Sequence, residues 1–159
     1  MILKCKKLFS KENIYKYQSS IENKIKMTIN NENNEFNDEK NFKILYNKNS
    51  NKKIAKIKIA NSFSKRFLGL MFKARCEHPL LFEIPQDIKI KERSSIHSIF
   101  MRFEIALVFI DDENLIYEIV DLKPWKYYVP KKPAKYIIES DKKEFENYDL
   151  KIGDEIELK

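Results

Sequence analysis

Apolar and polar positions follow two regimes that meet near residue 54. In Ile54-Ala55-Lys56-Ile57-Lys58-Ile59-Ala60, isoleucines at 57 and 59 alternate with lysines at 56 and 58, the period-two pattern of a half-buried strand. Behind Ser62 or Ser64 as an N-cap, Phe63, Phe67, Leu70, Met71 and Ala74 recur at spacings of three and four, which predicts an amphipathic helix. Gly69 falls inside that helix, where glycine costs about 1 kcal/mol relative to alanine, so its presence predicts close approach of a neighbouring backbone. Short strands then follow one another: 80–84 between Pro79 and Pro85, a mixed segment at 95–101, and a nearly continuous apolar run at 104–110 that reads as a central strand. Asp111-Asp112-Glu113-Asn114 is turn chemistry, and 115–122 returns from it as the second half of a hairpin. A proline-rich loop over 123–133 leads to a strand at 134–139, one or two helical turns at 142–148, and a last strand at 155–158 after Gly153-Asp154.

Many short strands with one main helix predict an α+β fold, mostly antiparallel β, as a small barrel-like or curled sheet with that helix packed against it. Closing or covering the sheet hides its edges. Upstream, stretches such as Asn30-Asn31-Glu32-Asn33-Asn34 bury too little to offset chain ordering. Residues 1–53 are therefore expected to form a disordered or weakly ordered Asn/Lys-rich arm, and 54–159 a single domain. Two short exceptions fall in the arm: a helical turn around Ile14, Tyr15 and Tyr17, and a strand-like alternation of Phe42, Ile44 and Tyr46.

A chain of 159 residues suits one domain. Its net charge of +7 invites an anionic polymer as partner, but the charge is unevenly placed. Up to Ala60 the net is +8, and beyond it the net is −1. The basicity belongs to the arm, where solvated lysines explain it more simply than a nucleic-acid contact does. Two lone cysteines, Cys5 and Cys76, make a poor disulfide framework. The opening residues lack the apolar core of a signal peptide, and no apolar stretch reaches the roughly 18 residues of a membrane span. The expected setting is the cytoplasm, away from membranes.

Several motifs in the second regime occur together. Arg66-Phe67-Leu68-Gly69-Leu70-Met71, then Leu80-Leu81-Phe82, then the run from Ser95 through His97 to Phe103, then Leu107-Val108-Phe109-Ile110-Asp111, resemble the family called Domain of Unknown Function 192. The later Lys123-Pro124-Trp125, Ala134 to Glu139 and Ile152-Gly153-Asp154 are similar to its archaeal branch in order and spacing. The resemblance implies a compact, mostly β domain with a helix and brings no established activity. It also implies a departure: Ala106 stands where relatives typically carry Asp, and Glu104 where they carry Pro.

Candidate chemistry is sparse. His97 could serve as a base or ligand near neutral pH, although no Ser-His-Asp or Cys-His arrangement can be assigned around it, and a structural histidine is the commoner case. Cys76-Glu77-His78 lacks the second ligand pair that zinc requires. Arg66, Arg102 and Lys123 could gather at one end of the barrel to hold a carboxylate or phosphate; in the competing arrangement each pairs with an acid such as Glu83, Glu104 or Glu139, or lies in water. The stretch from Lys123 to Pro133, with the chain's single tryptophan at Trp125, interleaves cations with aromatics as a nucleic-acid surface would, but a proline-stiffened crossing loop has the same composition. With two glycines in the chain, Gly69 and Gly153, there is no glycine-rich phosphate loop.

The candidate ligand-binding residues are thus Arg66, His97, Arg102, Lys123, Trp125 and Glu139, with no catalytic set, metal or cofactor. The function expected first is a non-enzymatic module binding a small ligand, an anion or a peptide. The alternative is a weak nucleic-acid binder using the basic arm and the Lys/Trp/Tyr loop.

Overall fold

The computed structural model describes residues 41–60, 69–74, 76–86 and 90–159. Nine strands occur among them: β1 (Phe42–Asn47), β2 (Lys52–Ile59), β3 (Leu80–Glu83), β4 (Ile96–His97), β5 (Ile105–Ile110), β6 (Ile116–Leu122), β7 (Tyr127–Tyr128), β8 (Tyr136–Asp141) and β9 (Ile156–Leu158). Seven form one sheet in the order β6-β5-β8-β3-β2-β1-β9, and β4 pairs with β7 in a separate ribbon. All pairs in the large sheet are antiparallel except β2 with β3, where Lys58 faces Leu80 and Ile59 faces Leu81.

The sheet is curled rather than closed into a barrel. Its edge strands approach at one end, where Leu115 and Glu155 form an isolated bridge and Ile116 N donates to Asp154 O at 2.9 Å. The curl gives two apolar faces. One cluster draws on every strand of the large sheet, with Leu45, Ile57, Leu81, Val108, Ile116, Ile138 and Ile156 among its members, and Tyr148 and Leu150 close it. On the opposite face, Leu80, Phe82, Ile105, Leu107, Phe109 and Ile137 pack under the ribbon residues Ile96 and Tyr128 and under Leu70 and Met101. β5 lies between β6 and β8 with both faces covered, which is why all six of its residues are apolar and buried.

Side-chain hydrogen bonds set the connections. Asp111 Oδ1 accepts from Glu113 N at 3.1 Å and Leu115 N at 3.0 Å, turning β5 into β6. Buried Glu118 accepts from Tyr128 OH at 2.9 Å and Lys131 N at 2.9 Å, pinning the long loop after β6. Asp141 caps the short helix α1 (Lys142–Phe145) by accepting from Lys143 N at 2.9 Å.

Two expectations need correction. Order starts before Ile54: Phe42 to Asn47 pair along Lys52 to Lys58, so Phe42, Ile44 and Tyr46 belong to the sheet rather than to an arm. The alternation was legible, but the Asn- and Lys-rich composition around it suggested a segment that buries too little to order. The predicted helix falls partly on residues 61–68, outside the described residues together with Ser62, Phe63, Ser64 and Phe67. In its described part, Gly69 has φ +45° and Phe72 φ +60°, left-handed values that no α-helix contains, so 69–72 is a turn. Leu70 and Met71 are buried as their spacing implied. The contact that requires Gly69 is a side chain and not a backbone: a Cβ there would stand 2.8 Å from Glu139 Oε2.

Candidate functional site

Three connections meet at the end of the second apolar face: the turn 69–73, the bend 98–103 before β5, and the loop 123–127 after β6. Ser98 ties the last two together. Its Oγ donates to Lys123 O at 2.6 Å and accepts from Lys126 N at 2.9 Å, while its carbonyl accepts from Trp125 N at 2.9 Å and Met101 N at 3.2 Å. The first is joined through Phe72 N, which donates to Phe100 O at 3.2 Å. Replacing Ser98 with Ala is expected to leave Lys123 O and Lys126 N without their side-chain partner and cost about 1 kcal/mol. Urea unfolding would give that figure, and tryptophan anisotropy should fall as Trp125 loosens.

The arrangement presents aromatic rings. Phe72 stacks on Phe100 with centroids 5.0 Å apart and planes 18° apart, and Trp125 meets Phe100 edge-on at 4.8 Å. All three have left-handed backbones, φ +60°, +60° and +63°. For bulky residues this conformation costs roughly 1–2 kcal/mol each, and such strain collects at functional sites. Trp125 is 50% exposed and its neighbour Tyr127 62%. Lys73, Arg102, Lys123 and Lys126 adjoin the rings in sequence and are exposed. Among the described residues, no ion pair joins Arg102, Lys123 or Lys126 to an acid. The surface is therefore aromatic and cationic.

Four of the candidates named from the sequence lie on these connections or beside them. His97 lies in the β4/β7 ribbon opposite Tyr127, one residue from Ser98; burial pushes its pKa down, so it is neutral near pH 7. His97, Arg102, Lys123 and Trp125 thus share one neighbourhood of the chain, and Arg66 lies outside the described residues. Pairing with nearby acids does not occur for Arg102, since Glu104 stands 3.7 Å from Lys142 instead. Sequence reasoning missed Phe72 and Phe100, which read as helix and strand residues because nothing in their spacing signals a positive φ, and Ser98, whose bonds reach 25 to 28 residues along the chain.

Glu139 occupies a different position from the other candidates. It sits in β8 opposite Leu80 of β3 and Leu107 of β5, 3% exposed, with no hydrogen-bond partner for Oε2. Burial pushes its carboxyl up to about 8, with Lys73 as the opposing influence. Gly69 lies directly on Oε2. The turn 69–73 therefore touches Glu139 at one end and completes the aromatic face at the other.

Other chemistry is quiet. Among the described residues no three His, Cys, Asp or Glu are grouped to hold a metal. Burial raises the Cys76 thiol to about 11, away from reactive thiolate, and its Sγ donates to His78 O at 3.1 Å. Two cavities of about 350 and 380 Å³ lie on either side of Lys135 and Tyr136, away from the aromatic cluster. In the first, Lys48 is bonded to Glu155 and Lys135 to Asn114. No helix among the described residues is long and apolar enough to cross a membrane.

Comparison with known proteins reaches most of the chain from residue 45 onward. The model of DUF192, described as an uncharacterised family, matches residues 45–158. A UPF0127 protein of Pyrococcus furiosus is 39% identical over 101 residues, covering 64% of this chain and 84% of the relative. Another, from Pyrococcus horikoshii, is 40% identical over 100 residues, with 63% and 84% coverage. Among solved structures, a protein from Sinorhizobium meliloti superposes with TM-score 0.61 at 18% identity, covering 74% of this chain and 92% of that one. A protein of unknown function from Novosphingobium aromaticivorans gives 0.58 at 13%, with 73% and 83% coverage. At these identities the likeness of the structures concerns the fold.

Proposed function

The chain belongs to the uncharacterised DUF192 family, and from that premise we propose that it is a non-enzymatic binding module whose site is the face formed by Phe72, Phe100 and Trp125. Its ligand is a small planar anion, or a peptide side chain of that kind. The observation that carries this reading is the contact of three left-handed aromatic residues, Phe72 stacked on Phe100 and the half-exposed Trp125 set edge-on against Phe100. A fold without use for that surface would gain from relaxing the strain and hiding the ring. The rings offer stacking area, and Lys73, Arg102, Lys123 and Lys126 offer charge for a carboxylate or phosphate.

Benzoate, phenyl phosphate and a short acidic aromatic peptide serve as probes. At least one is expected to raise the melting temperature at millimolar concentration. Trp125→Ala should weaken its binding by about tenfold or more, as for a central aromatic contact. Absence of any stabilisation, or binding unchanged in Trp125→Ala, would refute the proposal.

A second reading is favoured by one observation, the exposure of Trp125 and Tyr127 on a lysine-bearing loop: single-stranded nucleic acid could stack there. It predicts affinity that falls steeply with salt. Truncation to test the basic arm has to stop before Phe42, since removing residues through 53 would take β1 out of the sheet.

A further inference from the structure

The turn 69–73 is short, yet it carries two unlike contacts. At its start Gly69 lies against Glu139 Oε2 so closely that a methyl group would stand 2.8 Å from the oxygen. Three residues later Phe72 bonds to and stacks on Phe100, completing the aromatic face. Three residues span at most about 10 Å, so the two contacts lie close enough along the backbone for a displacement at one to reach the other.

Glu139 is the group most able to force such a movement. Its Oε2 is enclosed and accepts no hydrogen bond, a state tolerable for a neutral carboxyl and costly for an ion. The residues facing it from β3 and β5 are Leu80 and Leu107; from the turn, Lys73 is the charged group that acts on it. Once ionised, the carboxylate must gain water or the Lys73 ammonium. Gly69 is the backbone packed against that oxygen and so the first group that either change would displace.

We infer that the turn 69–73 is a proton-controlled strap for the binding face: protonated Glu139 holds it down with Phe72 stacked on Phe100, and ionisation of Glu139 releases it. The strap regulates the face proposed above, so its effect on ligand rests on that reading, whereas its movement does not. Glu139 is a positioning residue here and touches no ligand. Since burial sets its pKa at about 8, release spans the mildly alkaline range. A ligand needing the closed face loses affinity by about tenfold from pH 7 to pH 9.

The test is a pH titration of the ligand-free chain from pH 6 to 10, read by Trp125 fluorescence and by the amide resonances of Gly69 and Phe72. Wild type is expected to show one transition near pH 8 shared by all three signals. Glu139→Gln, a neutral side chain of the same size, is expected to remain closed throughout. A transition that persists in Glu139→Gln, or its absence in wild type, overturns the strap. Should Glu139→Gln fail to fold, the carboxyl carbon resonance of Glu139 in wild type decides: titration in step with the Gly69 amide supports the strap, and titration without it refutes the strap. Binding of benzoate or phenyl phosphate at pH 7 tests the face itself, so either idea can fail alone.

Discussion

Glu139→Gln is expected to be more stable than wild type at pH 8, by an amount on the order of 3–5 kcal/mol, and no more stable at pH 4. In the unfolded chain this carboxyl ionises near 4.5, whereas burial in the fold raises it to about 8. Between those values the folded protein keeps a proton that the unfolded protein has released, so its stability falls as pH rises through the window and levels off above it. Each unit of the difference corresponds to about 1.4 kcal/mol. A Gln amide remains neutral at every pH and escapes the penalty, although it leaves its own buried hydrogen bonds unmade, as protonated Glu139 does. Urea unfolding of both proteins at several pH values isolates the term, because titrations elsewhere, such as that of His97, cancel in the difference. A gap that does not widen between pH 5 and pH 8 would contradict a buried, unpartnered carboxyl.

Gly69→Ala is expected to destabilise by about 2–4 kcal/mol. Roughly 1–2 kcal/mol comes from holding an L-residue at φ +45°, and the rest from a methyl 2.8 Å from a confined oxygen. At Gly153, where φ is +94° and nothing lies within 4 Å of an added Cβ, an alanine meets backbone strain without any steric contact. Glu139→Ala introduced beside Gly69→Ala should recover the steric part, a coupling that a double-mutant cycle measures. An absence of coupling in that cycle would show that Glu139 is not pressed by the turn.

Much of the sheet was legible because burial on both sides forces composition. β5 could be recognised from six consecutive apolar residues, and the turn after it from Asp111 and Asn114. β2 could be recognised from the alternation at 54–60, whereas β1 was harder, because its Asn- and Lys-rich surroundings made a short sheet strand resemble part of a solvated arm. Leu70 and Met71 are buried as their spacing implied, but helical periodicity cannot reveal that Gly69 and Phe72 turn left-handed between apolar contacts. The site was legible only in part for the same reason. Trp125, Lys123, Arg102 and His97 stand out as chemistry on a loop and a short strand, whereas Phe72 and Phe100 become a surface only through backbone angles. Glu139 was visible as a residue, yet its sequence position at the end of an apolar run suggests a wet strand terminus. Its burial follows from β8 lying between β3 and β5, which is a property of topology.

The most direct test of the aromatic face is a map of amide chemical-shift changes on adding phenyl phosphate or benzoate at pH 7. The largest changes should fall on 69–73, 98–102 and 123–127, and the Trp125 indole resonance should move with them. Changes centred on Lys43, Lys135 and Tyr136 would place binding at the opposite cavity, and an unperturbed spectrum at millimolar ligand would leave the strained rings without the role assigned to them.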